Sequence, residues 1–274
     1  MKIKKLSWLF TLAIACVVMM NVVITACSGG GGSTTTPAAG TPGTGSPAAQ
    51  KLVMATSADY PPYEFRDTAS GKNEIIGFDV DIAKYITKQL NYTLEIKDMD
   101  FNGLLPALQA KRVDFVMAGM TPTEERKKSV DFTDIYFEAK NTIIALKGSN
   151  LKKVEELAGK GVGVQLGSIQ ESDLKKAAEK ITGINLKPLN KIGDLIQEIK
   201  SKRLDAAIVE DTVAKGYVAA NPDLEFNVIP SEGPSGSAIA FPKDSPLVKP
   251  FNDVLTQMKQ KGEVETLVKK WFDK

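Results

Sequence analysis

The sequence predicts an α/β fold with largely parallel sheets, and three observations predict it. Short apolar runs recur along the chain, amphipathic helical patterns separate them, and several runs end in glycine-rich or acidic turns. Leu52-Val53-Met54-Ala55 reads as a buried strand. After Gly77, the residues Phe78, Ile82, Ile86 and Leu90 recur every four positions and form one helix face. Leu94 and Ile96 alternate with polar neighbours as a strand does. Leu104, Leu105 and Leu108 begin a short helix, and residues 114–118 form another buried strand. Residues 142–146, 162–165 and 206–209 are further strands, and a helix over 192–202 carries Ile192, Ile196 and Ile199 on one side. A helix begun at Pro246 would lose a hydrogen bond at Pro250, so the start is expected near Pro250. No internal repeat is visible.

Composition narrows the function classes. A chain of 274 residues can build two modest lobes or one large domain. The net charge is +2, with acids interspersed among the lysines, which gives a nucleic-acid partner no support. The absence of histidine removes the commonest general base and zinc ligand, and no metal or cofactor is expected.

The N-terminus is the most legible segment. Lys2, Lys4 and Lys5 form a basic region, and residues 6–26 are mostly apolar, closing on Ile24-Thr25-Ala26-Cys27. This pattern resembles a bacterial lipobox. It predicts a signal peptide over 1–26 and lipid attachment at Cys27, so that the chain faces outside the cytoplasm and is held at the membrane. A permanent transmembrane anchor is the alternative, since about 20 apolar residues span a bilayer, but Asn21 and Thr25 interrupt the run. Cys16 would leave with the signal peptide, so no intramolecular disulfide is expected. Residues 27–50 hold Gly, Ser, Thr, Pro and Ala almost exclusively and read as a flexible tether, with a reach of roughly 25 Å for a coil of that length.

In open α/β sheets, ligands sit beyond the carboxyl ends of strands, and three such ends are chemically loaded. In Gly119-Met120-Thr121-Pro122-Thr123-Glu124-Glu125-Arg126, Thr121 can cap a helix, Pro122 takes its first position and Glu124 completes a capping box. A helix N-terminus beside Arg126 makes a carboxylate receptor; an ordinary capped helix with a solvated arginine is the plainer reading. Gly167-Ser168-Ile169-Gln170-Glu171 is a second helix start with Ser168 as cap, and its glycine spacing is wrong for a dinucleotide fingerprint. Glu210 and Asp211 close the third end, either as solvated or capping acids or as receptors for an ammonium group. Ser57, Asp59, Tyr60, Tyr63, Glu64, Phe65 and Phe101 bring acids and aromatic faces to early loops. An aromatic face suits a guanidinium, whereas Tyr63 and Phe65 read better as core. An anion receptor, a cation receptor and an aromatic wall match what a free amino acid presents.

The chain also resembles a known family. Gly77-Phe78-Asp79-Val80-Asp81, Met99-Asp100-Phe101-Asn102-Gly103-Leu104, the 119–126 segment, Val130-Asp131-Phe132-Thr133 and Lys270-Trp271-Phe272 look like the polar amino-acid-binding proteins of ABC importers. The segments 164–170 and 208–212 are similar to the arginine-binding lipoproteins of Gram-positive bacteria. The resemblance implies a two-lobe periplasmic-binding fold of type II, with lobe 1 over 51–143 plus 238–274, lobe 2 over 144–237, and crossovers near 141–146 and 236–241. It implies that Arg126 binds the ligand carboxylate, and that the Gly119 carbonyl, Thr121 and Asp211 hold the α-amino group. Ser57, Tyr60, Phe101, Gln165, Ile169, Gln170 and Glu210 would surround the side chain, with Ser168 at the helix start beside them. Several binders of basic amino acids carry an acid where Ser57 stands, so Asp59, Glu64 or Glu210 must supply any counter-charge, with Glu64 slightly favoured. The implied partners are a free amino acid, arginine first, and the permease and ATPase of an importer, with the chain acting as a monomer rather than as an enzyme. An exported dehydratase-like enzyme and a ligand-sensing domain are the competing readings on the same fold.

Overall fold

The computed structural model describes residues 49–230 and 235–273. The expected signal peptide, Cys27 and nearly all of the expected tether lie outside the described residues. The first half of the fold runs through β1 (Gln50–Thr56), β2 (Asp59–Tyr60), β3 (Glu64–Asp67), β4 (Glu74–Ile76), α1 (Phe78–Gln89), β5 (Tyr92–Asp98), α2 (Phe101–Gln109), β6 (Phe115–Val116), α3 (Glu124–Lys127) and β7 (Val130–Phe132). The second holds β8 (Asn141–Leu146), β9 (Gly161–Gln165), α4 (Ile169–Lys180), β10 (Asn185–Leu189), α5 (Ile192–Lys200), β11 (Ala206–Glu210), α6 (Asp211–Ala220) and β12 (Leu224–Val228). The chain then returns to the first through β13 (Ala240–Pro242), α7 (Val248–Gln260) and α8 (Glu263–Phe272).

Each lobe has its own five-stranded sheet. The first is ordered β5-β1-β6-β13-β7 and the second β10-β9-β11-β8-β12, and a small β2-β3-β4 sheet flanks the first. In each large sheet four strands run in one direction, and a single strand, β13 in the first and β8 in the second, runs antiparallel to them. The crossover lies earlier than residues 141–146: all of β8, from Asn141, pairs with β11 and β12 in the second sheet. The crossover segments meet between Phe137 and Ser237, where Tyr136 N donates to Ser237 O and Ser237 N to Phe137 O, both at 2.8 Å.

The helix faces follow the sequence pattern. Phe78, Ile82, Ala83 and Ile86 of α1 and Ile192, Leu195, Ile196 and Ile199 of α5 are buried in the core. Tyr63 is fully buried among Phe78, Phe137 and Phe272, and Phe65 packs edge-on to Trp271, so both serve the core. Helix α7 starts at Val248, two residues before Pro250, which sits in the first turn where a missing N–H costs nothing.

Gly163 in β9 has no room for a side chain, because an added Cβ would stand 2.5 Å from Leu195 and 2.7 Å from Leu204. Both leucines are buried. Gly163→Ala is therefore expected to destabilise the protein by about 1–3 kcal/mol through overpacking, read from a urea unfolding curve. Gly216→Ala is the control: nothing lies within 4 Å of a Cβ there, and the change should stabilise α6 by up to about 1 kcal/mol. Equal midpoints for the two proteins would remove the packing argument.

Candidate ligand-binding site

Three strand ends converge on the cleft between the lobes and line one small cavity. Ten of the residues expected at the site form its wall: Tyr60, Phe101, Gly119, Thr121 and Arg126 from the first lobe, and Gln165, Ser168, Ile169, Gln170 and Glu210 from the second. Ala118 completes the wall and was not singled out in the sequence, since an alanine closing an apolar strand carries no chemical signal.

Arg126 enters the cavity differently from the expected capped helix. Thr121 does not cap; the helix begins at Glu124, and Thr123 Oγ1 caps it by accepting Arg126 N at 3.2 Å. Pro122 therefore precedes the helix, and Glu124, in its first turn, closes no capping box on Thr121. This leaves the Thr121 carbonyl free to accept the Arg126 guanidinium at 2.9 Å, while Gly167 O of the opposite lobe accepts it at 3.0 Å. The guanidinium also stands 5.5 Å from the Phe101 ring centroid. Among the described residues no carboxylate pairs with it. Burial pulls its pKa down to about 10, and it stays a cation at neutral pH. A half-buried guanidinium with no acid beside it is a receptor suited to an anion.

The second lobe supplies the complementary charge. Glu210 ends β11 facing the cavity, 5% exposed, and its Oε2 receives no hydrogen bond within the described residues. Burial raises its pKa to about 7, outweighing the Tyr63 and Tyr60 hydroxyls that favour the carboxylate. Ser168 caps α4 as expected, accepting Glu171 N at 3.1 Å, and Glu171 turns back to accept Gly167 N at 2.6 Å. The amide nitrogens of Gln165 and Gln170 are engaged by Asn190 O and Asn141 Oδ1, which leaves their oxygens as acceptors.

Four expected site residues lie outside the wall. Asp211 Oδ1 accepts Lys140 N at 3.0 Å and Thr212 N at 2.9 Å, holding the start of α6 to the crossover segment. Glu64 is fully buried behind the wall, beside Asp79. Ser57 donates to Asp59 Oδ1 at 2.6 Å, and Asp59 Oδ2 accepts Ile192 N, at the start of α5 in the other lobe, at 2.8 Å. Lys191 completes this contact across the cleft, 3.0 Å from Asp100 and 3.7 Å from Asp59, while Asn190 donates to Asp100 Oδ2 at 2.9 Å. Asp59 thus already has a cation and a helix N-terminus. The sequence reading missed Lys191 and Asn190, which carry no motif; their partners lie 90 or more residues away in the chain.

The profile of the bacterial extracellular solute-binding proteins, family 3, matches residues 52–274. The arginine-binding extracellular protein ArtP of Bacillus subtilis is 47% identical over 269 residues, covering 97% of this chain and 98% of that one. The solved structure of an ancestral arginine-binding protein bound to arginine superposes with a TM-score of 0.77 at 40% identity, covering 82% of this chain and 99% of that one. An ancestral arginine-binding protein bound to glutamine gives a TM-score of 0.76 at 41% identity, covering 82% and 98%.

Proposed function

This chain belongs to the bacterial extracellular solute-binding proteins of family 3, and on that premise we propose that it captures a free amino acid, arginine in preference, for an ABC importer. As a member of that family it works outside the cytoplasm, as a binding protein rather than an enzyme. The observation that carries the ligand class is the pair of unmatched charges across one cavity: the acid-free guanidinium of Arg126 and the buried carboxyl group of Glu210. An α-amino acid brings a carboxylate to the first and a cation to the second. Gly119, Thr121 and the oxygens of Gln165 and Gln170 then serve the remaining donors, and Tyr60 and Phe101 flank the side chain.

Arginine is the first reading because Glu210 favours positive charge and the aromatic faces suit a flat guanidinium. The arginine-binding relative at 47% identity supports it. Glutamine is the second reading, because among the described residues Glu210 is the one acid in the wall and the α-ammonium of any amino acid can satisfy it. Calorimetric titration of residues 51–274 with arginine, lysine, histidine and glutamine tests both. Arginine is expected to bind tightest, and glutamine binding tighter would overturn the preference while leaving the amino-acid reading intact.

The contact at Lys191 should govern how long the closed cleft lasts. Partly exposed ion pairs contribute about 0.2–1 kcal/mol each, so losing its two pairs in Lys191→Ala should weaken binding roughly two- to thirtyfold, as faster release in stopped-flow. The ratio of arginine to glutamine affinity should hold, since Lys191 is outside the wall; a ratio moved more than about threefold would place Lys191 at the ligand.

We further propose that the chain is cleaved before Cys27 and anchored there by two acyl chains, one chain alone binding a bilayer only marginally, and that it acts as a monomer beside its permease. A Cys27→Ala protein is expected to leave the membrane fraction. Retention there with an uncleaved N-terminus would favour a transmembrane anchor instead.

A further inference from the structure

Behind the cavity wall lies a second arrangement that touches no ligand. Gly77 lets α1 press its first turn against the strand that carries Glu64, where an added Cβ would run into the Tyr63 carbonyl. Asp79, in that turn, is fully buried. Its Oδ2 accepts Gly119 N at 2.9 Å and the Tyr136 hydroxyl at 2.7 Å. Its Oδ1, and both oxygens of Glu64, receive no N–H or O–H of the described residues. The two carboxyl groups act directly on each other, and two buried carboxyl groups side by side are accommodated by holding one proton between them. Among the described residues, the titratable groups that act on this pair are the acids Asp59 and Glu210 and the phenols Tyr60 and Tyr136. Burial and these like charges hold Glu64 well above the usual carboxylate range, and burial raises Asp79 to about 6.

Gly119 lines the cavity, and Tyr136 sits where the crossover segments meet. In a trans peptide the C=O points opposite to the N–H. With the Gly119 N–H turned back to Asp79, the Ala118 carbonyl is turned away from it. We propose that Asp79 is a positioning residue for ligand binding: it fixes the peptide between Ala118 and Gly119 from behind and ties it, through Tyr136, to the segment joining the lobes, with Glu64 as its proton donor. This rests on the amino-acid reading above, since the peptide it fixes belongs to that site.

The test uses Asp79→Asn, Tyr136→Phe and Glu64→Gln, each measured for arginine affinity by calorimetry, for urea unfolding, and for the Gly119 amide resonance without ligand. Asp79→Asn is expected to bind arginine about tenfold more weakly, the scale of a hydrogen bond to a charged group, with the Gly119 amide proton moved upfield. Tyr136→Phe should weaken binding about threefold, and more than its change in stability explains. Glu64→Gln keeps a donor to Asp79 and should weaken arginine binding at pH 7 less than Asp79→Asn does.

The pH profile separates positioning from bulk structure. A carboxyl group whose folded pKa is raised costs stability as pH rises from the ordinary range towards the raised value. Glu64→Gln should flatten that fall, and an unaltered profile would overturn the shared proton. An Asp79→Asn protein with normal affinity and a lowered unfolding midpoint would make Asp79 purely structural and overturn the proposal. If Asp79→Asn does not fold, unchanged affinity in Tyr136→Phe overturns it equally. No titration heat from the unsubstituted protein would sink the amino-acid reading instead, and the Gly119 resonance of the ligand-free variants would still report on the Asp79 contact.

Discussion

An Arg126→Ala protein is expected to bind arginine and glutamine alike roughly thirty- to several-thousand-fold more weakly than the unsubstituted chain. Stranding one member of a buried charge pair costs about 2–5 kcal/mol, which is that range in affinity. The loss should be the same for every amino acid, because the guanidinium meets the carboxylate that all of them share. Stability should change little or rise, because Arg126 has no acid to lose among the described residues and its protein partners are the Thr121 and Gly167 carbonyls. Equilibrium dialysis with labelled arginine and a urea unfolding curve check both halves. Affinity within a few-fold of the original would remove Arg126 from the site.

Glu210→Gln keeps the shape of the side chain and removes its charge, and a comparable loss is expected for arginine, about 2–5 kcal/mol. The pH dependence has a definite sign. Burial holds Glu210 up at about 7 in the empty cavity, and a bound cation favours the ionised form and lowers that value. Between the lowered value and pH 7, binding must therefore expel a proton, and affinity falls as pH falls through this window. Above pH 7 the carboxylate is already formed and affinity levels off. Titrations in two buffers of different ionisation enthalpy should reveal the released proton, and Glu210→Gln should release none. Undiminished proton release from the variant would assign the proton to another group. The ligand bridges Arg126 and Glu210, so the double variant should lose less than the sum of the single losses.

Most of the wall was legible because strand ends and helix starts are local events. An apolar run that stops at Gly119, Gly167 or Glu210 announces a turn in the sequence itself, and Ser168 with Glu171 marks a helix start that the structure keeps. The proline at 122 was a weaker guide: it fits the first position of a helix, yet the chain stays extended through Thr123. What the sequence hid depends on the opposing lobe. Asp59 looked available as a counter-ion until the start of α5 was brought against it by folding. Glu64 looked like a loop acid, yet it is enclosed by α1. Asp79 left a usable clue, since it lies three, four and seven residues before Ile82, Ala83 and Ile86 and so shares their buried face. A carboxylate on an apolar helix face calls for partners.

The position of β13 also bears on how the molecule reaches this state. It lies between β6 and β7, pairing Ala240 with Val116 and with Phe132, although well over a hundred residues separate the first pair. The second sheet draws only on the unbroken stretch from Asn141 to Val228. A polypeptide emerging N-terminus first can assemble the inner sheet early. The first sheet must keep a gap, with the facing edges of β6 and β7 unpaired, until β13 arrives. Completion of the first lobe is thus paced by one late strand: until β13 inserts, a finished second lobe hangs from an unfinished host.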